Sequence, residues 1–245
     1  SEMVSYAKKA NVAQRIEIIS NGSLLTKEKS MQLDEAGLDA IRISLQGLSS
    51  QKYTRVCSVS VNFETLVDNI RYFYENRKKC EIFIKIMDIA LEDGEEEKFY
   101  DIFGEISDRM YIELCKPVYV GVSYGNIAET TDRYGNVHEK RDVCPLCFYM
   151  LGIFPNGDVE PCDSIYKPIV LGNVNDNTLK DMWESETLRQ FRIMQLKKQR
   201  SQNPKCAACC APDDVSHPED ALDHQASYIL SRIEGIGHEC KRDHK

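Results

Sequence analysis

Seven of the chain's ten cysteines lie in its last 102 residues, and their placement limits the fold more than any other feature. The stretch "CPLCFYMLGIFPNGDVEPCD", Cys144 to Asp163, frames what reads as a β-hairpin with cysteines at both ends. "YMLGIF" and "DVEPC" are the expected strands and "PNGD" the turn, since Asn156 and Gly157 both tolerate positive φ. Such a hairpin returns Cys162 to the start of its partner strand, beside Cys144 or Cys147. A second element, Cys206-Ala-Ala-Cys209, offers two more thiolates from one tight turn. Together they bring four sulfurs to one centre. A chain of 245 residues opening "SEMVSYAKKA" has neither the shortness nor the leader of a secreted disulfide scaffold, so a metal site in a reducing compartment is the expected use. Tetrahedral zinc and a 4Fe–4S cluster both take four cysteines. Spacing by itself favours zinc slightly, because Cys144-x2-Cys147 is a knuckle in its own right and His217 follows eight residues past Cys209. Cys57, Cys80, Cys115 and Cys240 stand apart and read as core or incidental cysteines.

The first part of the chain follows a different grammar, an alternation of strands and helices. "RIEIIS" is a strand, followed by the turn "NGS" and the helix "TKEKSMQLDEAG", with Thr26 as N-cap and Gly37 as stop. "LDAIRISL" is the next strand, and "QGLSSQKYTRVCSVS" reads as a loop. In "NFETLVDNIRYFYENRK", Phe63, Leu66, Val67, Ile70, Tyr72 and Phe73 recur at helical spacing. "EIFIKIMDIAL" (strand), "GEEEKFYDIFGEIS" (helix) and "MYIELCKP" (strand) complete the series. Regular alternation of this kind means crossover units on a parallel sheet, whose ligands bind beyond the carboxyl ends of the strands. Those ends are "SNGS", "SLQGLSS" and "IALEDGE". The opening helix "EMVSYAKKANVAQ" has no strand before it, and four strands cannot close a barrel, so the chain is expected to begin inside a domain.

After a polar, turn-rich linker the second part continues through the hairpin to "LGNVNDNTLKDMWESETLRQFRIMQLKK", read as one helix capped by "NDNT". The knuckle "NPKCAACCAPDD" and an amphipathic helix "PEDALDHQASYILSRIEGIG" close the chain. A formal net charge of -8 argues against phosphate-driven nucleic-acid binding, and the basic run "LKKQR" reads as a solvated helix end. No apolar run reaches a membrane span of ~18 residues, so a cytoplasmic protein is expected.

The spacing Cys144-x12-Gly157-x4-Cys162, the "LGNVNDNTLKDMWES" segment and the "NPKCAAC" knuckle resemble the SPASM module that follows the catalytic domain of many radical S-adenosylmethionine enzymes. With no well-spaced cysteines after the knuckle, the module is most similar to the shortened twitch form. That resemblance implies one auxiliary 4Fe–4S cluster held by Cys144, Cys162, Cys206 and Cys209, with Cys147 and Cys210 as neighbours. The first half is similar to the middle of the same family's barrel, through its Ser-Asn-Gly strand end and "ISLQG…R" segment. The resemblance implies an α/β fold, a partial (β/α) barrel over residues 1–120, a linker over 121–143 and the cysteine-rich α+β module over 144–245. It carries S-adenosylmethionine contacts to Ser44 and Arg55, with Asn21 at the neighbouring strand end. The family's C-x3-C-x2-C and Gly-Gly-Glu motifs are absent from these residues, so the chain resembles the last two-thirds of such an enzyme and is not expected to act alone.

For the complete protein the resemblance implies a second 4Fe–4S cluster, reductive cleavage of S-adenosylmethionine, and hydrogen-atom abstraction by the deoxyadenosyl radical. The auxiliary cluster would then take or relay an electron. An electron donor such as flavodoxin or ferredoxin is implied as a partner. Dehydrogenase-type members point to oxidation of a small polyol or sugar. Sulfatase-maturing relatives point to a peptide or protein side chain instead. Arg42 and Lys85 are candidate bases, and nothing in the sequence singles out a catalytic residue. A non-catalytic zinc- or cluster-binding interaction protein is the reading from another class.

Overall fold

A computed structural model describes residues 1–116, 131–137 and 139–239, the side chains of 236–239 apart. Cys240 and residues 121–130 and 138 of the expected linker lie outside these residues. The chain divides into two compact units, Ser1–Cys115 and Lys116–Lys245.

In the first unit, helix α1 (Glu2–Lys9) precedes β1 (Glu17–Ser20), α2 (Lys27–Glu35), β2 (Ala40–Leu45), α3 (Ser50–Cys57), α4 (Phe63–Asn76), β3 (Glu81–Met87), α5 (Glu95–Phe103) and β4 (Arg109–Glu113). The strands are parallel in the order β1-β2-β3-β4. Sequential order with right-handed crossovers puts every connecting helix on one side of the sheet. Alternation along the strands matches this. Ile41, Ile43 and Leu45 of β2 and Ile82, Ile84 and Ile86 of β3 are buried against Leu66, Ile70, Phe73, Phe99 and Phe103 of the helices. The opposite face carries charge: Arg42 pairs with Glu17 at 2.8 Å, and Lys85 pairs with the buried Glu113. A four-stranded sheet with one helix-covered face and one polar face is a partial (β/α) barrel. The α/β class expected from the alternation is the one observed.

The local signals act as expected at most element ends. Thr26 Oγ1 accepts from Lys29 N, and Asn62 Oδ1 accepts from Thr65 N. Gly37 ends α2 at φ 86°. The segment read as a loop after β2 is in part a helix: Ser49 caps α3 by accepting from Lys52 N at 3.1 Å. Only Tyr53 of α3 is buried, so it lacks the apolar stripe that would mark it in sequence.

The second unit holds β5 (Gly152–Ile153), β6 (Asp158–Glu160), β7 (Gly172–Asn173), α6 (Leu179–Trp183), α7 (Glu186–Leu196), α8 (Pro204–Ala207), α9 (Ala211–Asp214) and α10 (Ala226–Glu239). The expected hairpin forms with shorter strands and gains a third, β7, antiparallel to β6. Its turn differs from the one expected: Gly157 alone takes positive φ, at 88°, while Phe154 N donates to Asp158 O and Gly157 N to Phe154 O. That pattern is a three-residue loop ending in a glycine bulge, in which Asn156 keeps an ordinary conformation. The long helix expected after "NDNT" is two helices. Thr178 caps α6, and Ser185 starts α7 afresh by accepting from Leu188 N at 3.2 Å. The final helix begins at Ala226 rather than Pro218, which lies in a short 3-10 turn. Among the described residues no helix is long and apolar enough to cross a membrane.

Candidate metal centre

The sulfurs arrive from three places. Cys144 and Cys147 flank the start of a 3-10 turn, Leu146–Phe148, ahead of β5. Cys162 follows β6, carried there by the Gly157 turn. Cys206 sits in α8, whose start is written locally: Asn203 Oδ1 accepts from Lys205 N and Cys206 N, and Pro204 occupies the first helical position. Cys209 follows one turn later, its N–H donating to Cys206 O at 3.2 Å.

All five of these thiols line one cavity, of about 390 Å³, with Leu146, Tyr166, Pro168 and Phe191 among its walls. Among the described residues no group of three His, Cys, Asp or Glu side chains is drawn to a single ion-sized point. The sulfurs surround a volume rather than a point. His217, the nitrogen expected to compete for zinc, stacks on Tyr134 with centroids 4.5 Å apart and is not on the cavity wall.

Hydrogen bonding sorts the five sulfurs. Cys144 accepts from the backbone N–H of Leu146, Cys162 from that of Ser164 and Cys209 from that of Ala211, the last at 3.5 Å. Each donor is two residues downstream of its sulfur. Cys206 Sγ accepts from Gln195 Nε2 at 3.7 Å. Cys147 is different, for its thiol donates to Cys144 O at 3.7 Å. An N–H aimed at sulfur favours the thiolate, and thiolate is the form that binds metal. Burial acts in the opposite sense. It pushes Cys144 and Cys162 up to about 12 and raises Cys206, with neighbouring thiols adding to it. A bound cation reverses that balance, because a coordinating thiol is deprotonated outright. The donor set therefore fits a sulfur-ligated iron centre in its chemistry.

Two supporting residues escaped the sequence reading. Gln195 is fully buried, and its Oε1 accepts from Cys144 N at 3.3 Å while its amide reaches Cys206, so one side chain ties both cysteine-bearing segments. Arg200, read as part of a solvated helix end, instead donates to Cys206 O at 2.5 Å and also to Cys209 O. The solvated reading holds for Lys197, Lys198 and Gln199. The register of helix α7 points to Gln195, where a polar residue interrupts Ile193 and Leu196. Cys210 points elsewhere and hydrogen-bonds Asp214.

In the first unit Asn21, Ser44 and Arg55 all fall along the carboxyl edge of the sheet. Asn21 directly follows β1, and its Oδ1 accepts from Ser23 N and Oγ at 3.0 and 2.8 Å. Ser44 lies on the polar face of β2, in register with Lys85 of β3. Arg55, in α3, pairs with Glu92, which also draws Lys52 to 3.5 Å. Gly22 keeps this edge tight: at φ 70°, a Cβ there would stand 3.1 Å from Ile43 Cγ2.

A half-barrel of parallel strands and a small module with a cysteine-lined chamber define a class of protein, one that joins a parallel α/β sheet to a module whose sulfurs can hold a metal. Residues 2–102 match the radical SAM superfamily, and residues 144–210 match the SPASM iron–sulfur cluster-binding domain. The chain thus carries a segment similar to the radical S-adenosylmethionine domain and a segment similar to the SPASM module, and these domains imply 4Fe–4S clusters and S-adenosylmethionine as cofactors. The chain is 26% identical over 258 residues to an AdoMet-dependent heme synthase of Oleidesulfovibrio alaskensis, covering 85% of this chain and 63% of that protein. Among solved structures it resembles BtrN in complex with AdoMet and 2-DOIA, at TM-score 0.50 and 17% identity, covering 85% of this chain and 65% of BtrN. It also resembles SuiB of Streptococcus suis, at TM-score 0.55 and 18% identity, covering 78% and 53%. The chain spans less than two-thirds of each of these relatives.

Proposed function

We propose that this chain forms the cofactor-binding sheet and auxiliary-cluster module of a cytoplasmic radical S-adenosylmethionine oxidoreductase, in which Cys144, Cys162, Cys206 and Cys209 hold one 4Fe–4S cluster. The observation that carries the reading is the pattern of N–H donors. Four thiols of one chamber each receive one, from Leu146, Ser164, Ala211 and Gln195. When bound, such a cluster supplies one-electron chemistry at a potential set by its thiolates, their hydrogen bonds and burial. The chamber buries Cys162 and half-buries Cys144, Cys206 and Cys209, and Arg200 holds the knuckle carbonyls so that Cys206 and Cys209 stay turned inward.

On the sheet, Asn21, Ser44 and Arg55 are the proposed contacts to S-adenosylmethionine at the strand ends. Of the two candidate bases on the polar face, Arg42 is committed to Glu17. Lys85 sits in register with Ser44 and is held by the buried Glu113, so this pair is the group best placed to hold a proton beside a ligand at that edge. These 245 residues contain no C-x3-C-x2-C. Reductive cleavage of S-adenosylmethionine therefore needs a cluster that they do not bind, and the chain by itself is proposed to be inactive.

Oxidation of a small polyol or sugar is the preferred reaction, supported by the likeness to BtrN. The likeness to SuiB, also solved bound to a precursor peptide, supports peptide modification as the second reading. The test is metal content. Anaerobically prepared chain should be brown, with about four irons and four sulfides per chain. Colourless protein holding stoichiometric zinc refutes the cluster and leaves a zinc-binding interaction protein.

A further inference from the structure

Four sulfurs suffice for a cluster, and this chamber holds a fifth. Cys147 is 1% exposed and lines the same cavity as Cys144, Cys162, Cys206 and Cys209. Its thiol lies within electrostatic reach of Cys144, Cys162 and Cys206, so it borders the space that a cluster would fill rather than a remote part of the core. Cys162 comes alone from the end of β6, while Cys206 and Cys209 share one turn, each with its own hydrogen-bond donor. Cys144 and Cys147 share another, three residues apart, and there only Cys144 has an N–H donor. That turn is pinned independently of either sulfur. Arg192 Nε donates to Cys147 O at 2.9 Å, Phe148 N donates to Pro145 O at 2.9 Å, and Gln195 accepts from Cys144 N.

The two sulfurs differ in their support. Cys144 accepts an N–H from Leu146, whereas Cys147 gives its own proton to the Cys144 carbonyl. We infer that Cys147 is a reserve ligand: Cys144 and Cys147 compete for one corner of the auxiliary cluster, Cys144 holding it normally and Cys147 taking the iron when Cys144 is removed. The inference rests on the cluster reading above. The swap is redox-neutral. The Fe–S bond to Cys144 is replaced by one to Cys147, whose thiol proton passes to solvent, because the metal ligand is the thiolate. A Cys147-ligated cluster lacks the N–H donor that Cys144 enjoys. It should be more labile to chelator and should show a changed spectrum, since hydrogen bonds to the ligating sulfur tune the centre.

The test compares Cys144→Ala, Cys147→Ala, the double variant and Cys206→Ala in the full chain after anaerobic iron–sulfide reconstitution. Iron per chain, the EPR spectrum of the reduced protein and the rate of iron loss to a chelator are read for each. Cys147→Ala should keep the wild-type iron content and spectrum. Cys144→Ala should keep most of its iron with a shifted spectrum and faster loss to chelator, and the double variant should fall to the background set by Cys206→Ala. Far-ultraviolet circular dichroism of each apoprotein separates ligand loss from misfolding. Should Cys144→Ala fold and yet hold no more iron than the double variant, the inference is overturned. Loss of iron from folded Cys147→Ala overturns it as well. Failure of the wild type to take up iron defeats the cluster reading itself, so the two failures are distinct.

Discussion

The hairpin turn that delivers Cys162 rests on Gly157, and replacing it with alanine separates two physical costs. At φ 88° an L-residue is strained, which costs about 1–2 kcal/mol. The added Cβ would also stand 2.6 Å from Asn173 Oδ1 and 3.0 Å from Asn175 Nδ2, closer than a real Cβ tolerates. Relief requires Asn173 to move. Its Nδ2 now donates to Asn156 O at 3.0 Å and to Asp158 Oδ1 at 3.1 Å, and its Oδ1 accepts from Asn175 Nδ2 at 2.8 Å. Losing one or two such bonds at a half-exposed site costs a further ~1–2 kcal/mol, at about 0.5–1.5 kcal/mol each. Gly157→Ala should therefore destabilise the second unit by roughly 2–4 kcal/mol. Gly135 provides the control: it has φ 86°, and nothing lies within 4 Å of its would-be Cβ, so alanine there should cost only the backbone strain. The assay is urea unfolding of the full chain followed by circular dichroism, with the metal-free protein used throughout so that cluster binding does not enter. If Gly157→Ala and Gly135→Ala shift the midpoint equally, the contact with Asn173 is energetically irrelevant and the reasoning fails. The same outcome follows if removing the Asn173 side chain restores nothing to Gly157→Ala.

Two further outcomes concern the sheet unit. Phe73 is fully buried against the sheet, so Phe73→Ala should cost about 3–5 kcal/mol, read as a lowered urea midpoint; a loss below 1 kcal/mol would mean that α4 does not pack as described. Asp39 is held below the ordinary carboxylate range, first by Lys8 at 2.5 Å, then by the Ile16 N–H at 2.7 Å. A lowered folded value gives stability that is present above the unfolded pKa of ~3.9 and lost as pH falls through the folded one. Asp39→Asn should be less stable than the parent near neutrality, and the gap should close in acid; a gap independent of pH down to the lowest folded pH contradicts the pairing.

Much of this protein is written in short segments. Thr26 and Gly37 mark helix ends because capping is settled by hydrogen bonds spanning three or four residues, and sequence shows those directly. The isoleucine-rich runs of β2 and β3 declare strands for the same reason, as their alternation needs no knowledge of what they pack against. Signals that depend on weak local energies were lost. Helix α3 has one buried apolar residue, β7 is two residues long, and the break between α6 and α7 hangs on the single cap of Ser185. Asn156-Gly157 pointed to the right place and the wrong turn, since a dipeptide specifies where the chain reverses better than which residue absorbs the strain.

The sequence alone determined which segments carry sulfurs able to bind a metal, because residue type and spacing decide which groups are chemically able to bind. Only the tertiary structure decided how those sulfurs stand. It gathered five of them around one volume, gave four an N–H donor and made the fifth a donor itself. It also brought Gln195 and Arg200 to the centre from a helix and a turn whose sequence looks ordinary. The reason is range: a cap is closed by neighbours along the chain, whereas a chamber is closed by residues that only packing brings together.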